Sequence, residues 1–186
     1  MTDKDLLNNV KKLRELTGVG FKDCKIAIDE NGGDIEKSIE YLRKKGIAKA
    51  SKKMGRSASE GLVLVEENNG EVSIIEINSE TDFVAKNNDF LDFAKEVSKI
   101  NFLTRGNLEK INESKMKNQT SVNENLINLI SKIGEKITIR RANFFSKDKG
   151  KNFYYVHSAV EKNIGKIVSI VKLLNTDSKD LGQKLA

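Results

Sequence analysis

The 186-residue sequence has no proline, a single cysteine, Cys24, and a single histidine, His157. One cysteine cannot close an intramolecular disulfide and suits a reducing compartment, here expected to be the cytoplasm. One histidine and one cysteine cannot furnish a metal cage built on those residues. No stretch approaches eighteen consecutive apolar residues, and no apolar run follows the basic residues near Met1. The sequence therefore predicts neither a membrane span nor a signal peptide. A Gly-x-x-x-x-Gly-Lys-Ser/Thr loop is also missing, which argues against direct nucleotide binding of the P-loop kind. No cofactor is expected. The absence of proline has no physical account beyond compositional drift.

What is present is charge, and it is unevenly spread. Charged residues make up 32% of the chain and apolar residues 38%, enough to bury a core. The formal net charge is +6. Residues 60–105 nevertheless hold 4 Lys/Arg against 10 Asp/Glu, whereas residues 1–59 hold 14 against 9 and residues 106–186 hold 15 against 8. A nucleic-acid binder is expected to gather basic groups on its working face. An acidic middle segment points instead to a protein partner or to a cation-related role. The basic flanks leave open a second reading, a basic RNA- or ribosome-associated binding module.

Residues 4–45 read as three short helices. Leu6, Val10, Leu13 and Thr17 share a face, with Leu7 beside them. Thr17-Gly18-Val19-Gly20 breaks that helix, and Phe21, Cys24, Ala27 and Ile28 mark the second, ended by Asn31-Gly32-Gly33. Asp34 is placed to cap a third, with Ile35, Ile39 and Leu42 facing inward. A helical domain is thus expected over 1–46. From Tyr41 to Ser59 there are seven Lys/Arg and no acid, and 47–59 reads as a basic linker, a solvated run rather than a phosphate site.

The remainder reads as α+β with a mainly antiparallel sheet, divided into 60–141 and an incomplete second part over 142–186. Leu62–Val65 and Val72–Ile77 flank an Asn-Gly step, a strong hairpin signal. Phe90, Phe93, Ala94, Val97 and Ile100 define one apolar helix face, from a start near Asn88. Residues 104–120 look polar and irregular. Ser121 and Glu124 form a capping box before Leu126, Leu129, Ile130 and Ile133, with Gly134 as the stop. Strands are expected at Ile137–Arg140, Tyr154–Ala159 and Ile167–Leu173, and Asp177 or Ser178 opens a last helix. That helix has barely two turns, too few to bury a complete face, so the chain is expected to be C-terminally truncated or steadied by a partner.

The most distinctive stretch is Asn78-Ser79-Glu80-Thr81-Asp82-Phe83-Val84-Ala85-Lys86-Asn87, an acidic turn with one aromatic between a strand and a helix. Such junctions are where a rigid scaffold displays working groups. The plainer alternative puts Phe83 in the core and makes Asp82 an ordinary surface acid. Catalytic signatures are weak. Glu80 and Asp82 as paired carboxylates are a common accident of turns. Cys24 with His157 as nucleophile and base is disfavoured, since Cys24 lies on the apolar face of a different domain.

Four blocks in order resemble elongation factor Ts, the bacterial and organellar guanine-nucleotide exchange factor for elongation factor Tu. They are Leu13–Lys25 with Tyr41–Gly46, then Arg56–Gly61, then Glu76–Asn87, then Ile133–Arg141. The resemblance implies a small ubiquitin-associated-like helical domain followed by an α+β core. It implies a partner, elongation factor Tu, GDP-bound or nucleotide-free, and no covalent chemistry. Thr81, Asp82, Phe83 and Val84 match the segment that inserts beside the partner's nucleotide site and displaces Mg²⁺. Val19, Gly20, Phe21 and Lys22 match a second contact, where Lys22 departs from the apolar residue relatives often carry. His157 lies near a position at which relatives place a partner-contacting histidine. Longer members continue past the position of Ala186, and short members are dimeric, so dimerisation is one expected compensation.

Overall fold

The computed structural model describes residues 3–174 and 178–186. Its elements in order are α1 (Asp3–Thr17), α2 (Phe21–Glu30), α3 (Ile35–Lys53), β1 (Glu60–Asn68), β2 (Glu71–Ser79), α4 (Asp82–Ala85), α5 (Asn88–Thr104), α6 (Leu108–Glu113), α7 (Val122–Ile133), β3 (Ile137–Phe145), β4 (Lys151–His157), β5 (Ile164–Gly165), β6 (Ile167–Leu173) and α8 (Lys179–Leu185). This is the α+β class expected, with antiparallel pairing in both sheets. The chain falls into two compact units, Met1–Arg56 with Ile127–Lys136, and Ser57–Leu126 with Ile137–Ala186.

In the first unit the apolar stripes of α1–α3 meet. Val10, Leu13, Cys24, Ala27, Ile28 and Leu42 form its core, with Leu6, Val19, Ile35 and Tyr41 packed around them. Helix α1 ends where Gly18 N–H donates to the Arg14 carbonyl at 2.8 Å. Asp34 caps α3 by accepting from Lys37 N–H at 3.0 Å, which satisfies an otherwise orphaned donor. The segment expected as a linker from residue 47 is helical up to Lys53. Gly46 does not stop the helix because it is buried, with Ser131 and Ile127 lying where a side chain would point. The end of α3 is held by lysines: Lys53 donates to the Gly134 carbonyl, and Lys136 Nζ to the carbonyls of Met54 and Arg56 at 2.7 and 2.8 Å.

The second unit is built on a four-stranded sheet of order β3-β2-β1-β5 and a two-stranded sheet of β4 and β6. Strands β1 and β2 are joined by Asn69-Gly70, with φ of 52° and 81°, and Asn68 opposite Glu71. A two-residue turn with both φ positive matches the right-handed twist of the strands and requires residues of this kind. Helix α5 packs on β1 and β2 through buried Phe90, Phe93, Ala94, Val97 and Ile100. The capping box forms as the sequence suggests: Ser121 N–H donates to Glu124 Oε2 and Glu124 N–H to Ser121 Oγ, both at 3.1 Å.

Four further differences from the sequence expectations concern the second unit. Residues 104–120 contain helix α6, capped by Asn107, which accepts from Lys110 N–H at 2.9 Å, and anchored by buried Ile111. Strand β5 was not anticipated; two residues carry no period, and pairing with Val63 and Leu64 alone defines it. Strand β3 runs on from Arg140 to Phe145, because β2 offers partners up to Val72. Strand β4 is shifted towards Lys151 and ends at His157. Of the two proposed starts for the last helix, Ser178 caps α8 through Leu181 N–H at 3.3 Å, and Asp177 lies outside the described residues.

Candidate functional site

Strand β2 delivers the chain to Ser79, whose hydroxyl donates to the Thr81 carbonyl at 2.9 Å and bends the backbone out of the sheet. Thr81 is extended and precedes the single turn of α4. Lys86 and Asn87 N–H close that turn onto the carbonyls of Phe83 and Val84. Asn87 Oδ1 then accepts from Asp89 N–H at 2.9 Å and starts α5. Both ends of the segment are therefore fixed by hydrogen bonds.

Successive side chains on a helical turn are rotated by about 100°, so the residues of α4 cannot all face inward. Val84 and Ala85 do; they are buried against the sheet and α5. Phe83 is consequently turned outward and is 79% exposed. The plainer alternative, Phe83 as a core residue, is overturned by that position. A large aromatic left in water on an anchored turn contributes nothing to the core.

The acid beside it is not isolated. Asp82 Oδ2 lies 2.8 Å from Lys86 Nζ, an i,i+4 pair. That hydrogen bond, with a lesser contribution from Lys166, holds the Asp82 carboxyl below its usual value. A general base is best matched to neutral pH, and a depressed, solvated carboxylate moves the wrong way for that role.

The base of the tip is braced from two sides. Asn78 Nδ2 donates to the Glu60 carbonyl at 3.0 Å, and the Glu60 carboxylate pairs with Lys166 at 2.8 Å. On the other side, the β2–β3 register slips between Glu76 and Ile77. Arg140 is the extra residue of this bulge, and both Arg140 and Arg141 reach the nearly buried Glu76. Adjacent residues on a regular strand point to opposite faces, and the bulge removes that restriction.

The remaining sequence candidates are spread over both units. In the first, Val19 is half-buried and Gly20 precedes α2, while Phe21 and Lys22 are exposed on its first turn. In the second, His157 closes β4, exposed, with its ring 6.1 Å from that of Tyr155. Its carbonyl accepts from Lys166 N–H at 3.2 Å, which ties this strand end to the residue beside Glu60. Sequence reasoning missed Lys86 and Lys166. The four-residue spacing of Asp82 and Lys86 was a usable signal; Lys166 offered none.

Cys24 is fully buried, donates to the Val19 carbonyl at 3.4 Å, and has its thiol pushed up by burial. Such a thiol is inert. Native protein should resist alkylation by iodoacetamide at pH 8 and react once unfolded in urea; rapid native labelling would reopen a chemical role. Among the described residues no group of His, Cys, Asp and Glu side chains could hold a metal ion, and no helix is long and apolar enough to cross a membrane.

The chain thus combines a small helical unit, an α+β unit, and an anchored turn that shows solvent an aromatic and an ion pair. Comparison with known proteins gives the family. A family model described as elongation factor TS matches residues 80–186. The elongation factor Ts of Methylobacterium nodulans is 46% identical over 165 residues, covering 88% of this chain and 54% of its own length. Those of Methylobacterium sp. strain 4-46 and Xanthobacter autotrophicus are 43% and 44% identical over 182 residues, covering 95% of this chain and 59% of theirs. The chain belongs to the elongation factor Ts family, and it spans little more than half the length of these relatives.

Proposed function

We propose that this chain binds elongation factor Tu–GDP in the cytoplasm and promotes exchange of GDP for GTP, with Thr81–Val84 inserted beside the partner's nucleotide site. The observation that carries the reading is Phe83, exposed on a turn whose neighbours Val84 and Ala85 are buried. Mg²⁺ is a hard cation held by oxygen ligands and helps to hold nucleotide phosphates. A rigid aromatic wedge beside it, with Asp82 disturbing the waters of the cation, expels that one centre and weakens GDP. By linkage, GDP weakens the exchange factor to the same extent. GTP then enters. The chain acts by binding and makes or breaks no covalent bond. Val19, Gly20, Phe21 and Lys22 form a second contact with the partner's nucleotide domain, and His157 a further one.

The test is release of labelled GDP from purified elongation factor Tu. The chain at micromolar concentration should accelerate release well above the spontaneous rate. An unchanged rate would overturn the proposal for this chain.

A further inference from the structure

The mechanism above uses Asp82 and Phe83 and leaves Lys86 without a task. Yet the carboxylate that reaches the partner does so already paired, 2.8 Å from the Lys86 ammonium, with both side chains well exposed. Exposed pairs of this spacing contribute little to folding, so stability does not account for the lysine, and opening the pair costs the tip little. A second cation stands by: Lys166, tied to Glu60 at 2.8 Å, also acts on the Asp82 carboxylate. Asp82 therefore stays partly compensated if Lys86 lets go.

The partner's site has the complementary need. Oxygen ligands gathered around Mg²⁺ are anionic or strongly polar. Once the dication leaves, they face one another with their charge uncompensated, which favours its return. An ammonium is a compact charge with three donors and no acceptor, suited to anionic oxygens. We infer that Lys86 is a contact residue that replaces the expelled cation: it swings from Asp82 to the vacated oxygen ligands and stabilises the metal-free, nucleotide-free complex. This rests on the exchange reading above. It adds a role for the tip's cation, which makes the element a charge-exchange device as well as a wedge.

The test is titration of nucleotide-free elongation factor Tu with the full chain by calorimetry, in chelator and in millimolar Mg²⁺. Wild-type affinity should fall steeply when Mg²⁺ is present, because metal and Lys86 compete for one place. Lys86→Met should bind about tenfold more weakly in chelator, and its loss of affinity on adding Mg²⁺ should shrink by about the same factor. Lys86→Arg, which keeps the charge, should retain most of both effects. If Lys86 merely steadies the turn, Lys86→Met weakens binding equally in both buffers, and that constant ratio overturns the inference. Wild-type chain that neither binds nor speeds GDP release removes the exchange reading itself, an outcome visible without any variant.

Discussion

Phe83→Ala should slow catalysed GDP release by roughly one to three powers of ten, the effect of losing an aromatic anchor worth about 2–4 kcal/mol at an interface. The same change should leave thermal unfolding nearly untouched, within about 0.5 kcal/mol, because an exposed side chain away from caps and pairs contributes little to folding. The separation of the two readouts is the point of the experiment. Phe83 is 79% exposed while Phe90, a few residues on, is fully buried. Phe90→Ala would therefore cost about 3–5 kcal/mol of stability through lost burial and the cavity left behind, and its activity would follow the folded fraction. Stopped-flow GDP release beside a urea titration distinguishes them. A Phe83→Ala protein that loses stability as Phe90→Ala does would show that the ring packs inward in solution and that the tip is not an insertion element.

That contrast marks how far the sequence could be read. Phe90 was legible because it recurs with Phe93, Ala94 and Val97 at helical spacing, and burial follows from period. Phe83 sits on one turn between a strand and a helix, where no period operates. Its direction is decided by Val84 and Ala85 taking the inward positions. The hairpin at Asn69-Gly70 and the box of Ser121 with Glu124 were legible because each is a local hydrogen-bonding or torsional demand met by a few residue types. Helix α6 was not, since Leu108 and Ile111 are too few to set a pattern and only the Asn107 cap announces it. Nor was Lys166, which reaches Glu60 across 106 residues of sequence. The paired arginines stand in the last of the family-like blocks, but their convergence on Glu76 depends on a bulge that the residues alone do not reveal.

Gly61→Ala should be strongly damaging, and it tests whether the base of the tip matters as much as its point. Gly61 lies opposite Asn78 in the β1–β2 pair, one residue before the strand hands over to Ser79. Its φ is +129°, and an added Cβ would sit 2.2 Å from the Ile77 carbonyl oxygen and 2.6 Å from Asn78 Cα. Both are backbone atoms, so no side chain can swing aside and the strands must part. Strain at a positive φ costs about 1–3 kcal/mol, and the disrupted pairing adds to it, for an expected loss of roughly 2–4 kcal/mol in urea unfolding. Parting the strands also pulls Asn78 Nδ2 from the Glu60 carbonyl, and with it the brace through Lys166. The tip then loses its fixed direction even in molecules that remain folded. Exchange should accordingly fall further than the folded fraction does, which a mutation acting through stability alone would not produce. Gly55→Ala is the matched control: nothing lies within 4 Å of its added Cβ, and stability and exchange should both stay close to wild type. If Gly61→Ala behaves like Gly55→Ala, the close approach of β1 to β2 does not set the tip, and its rigidity must come from the α5 side.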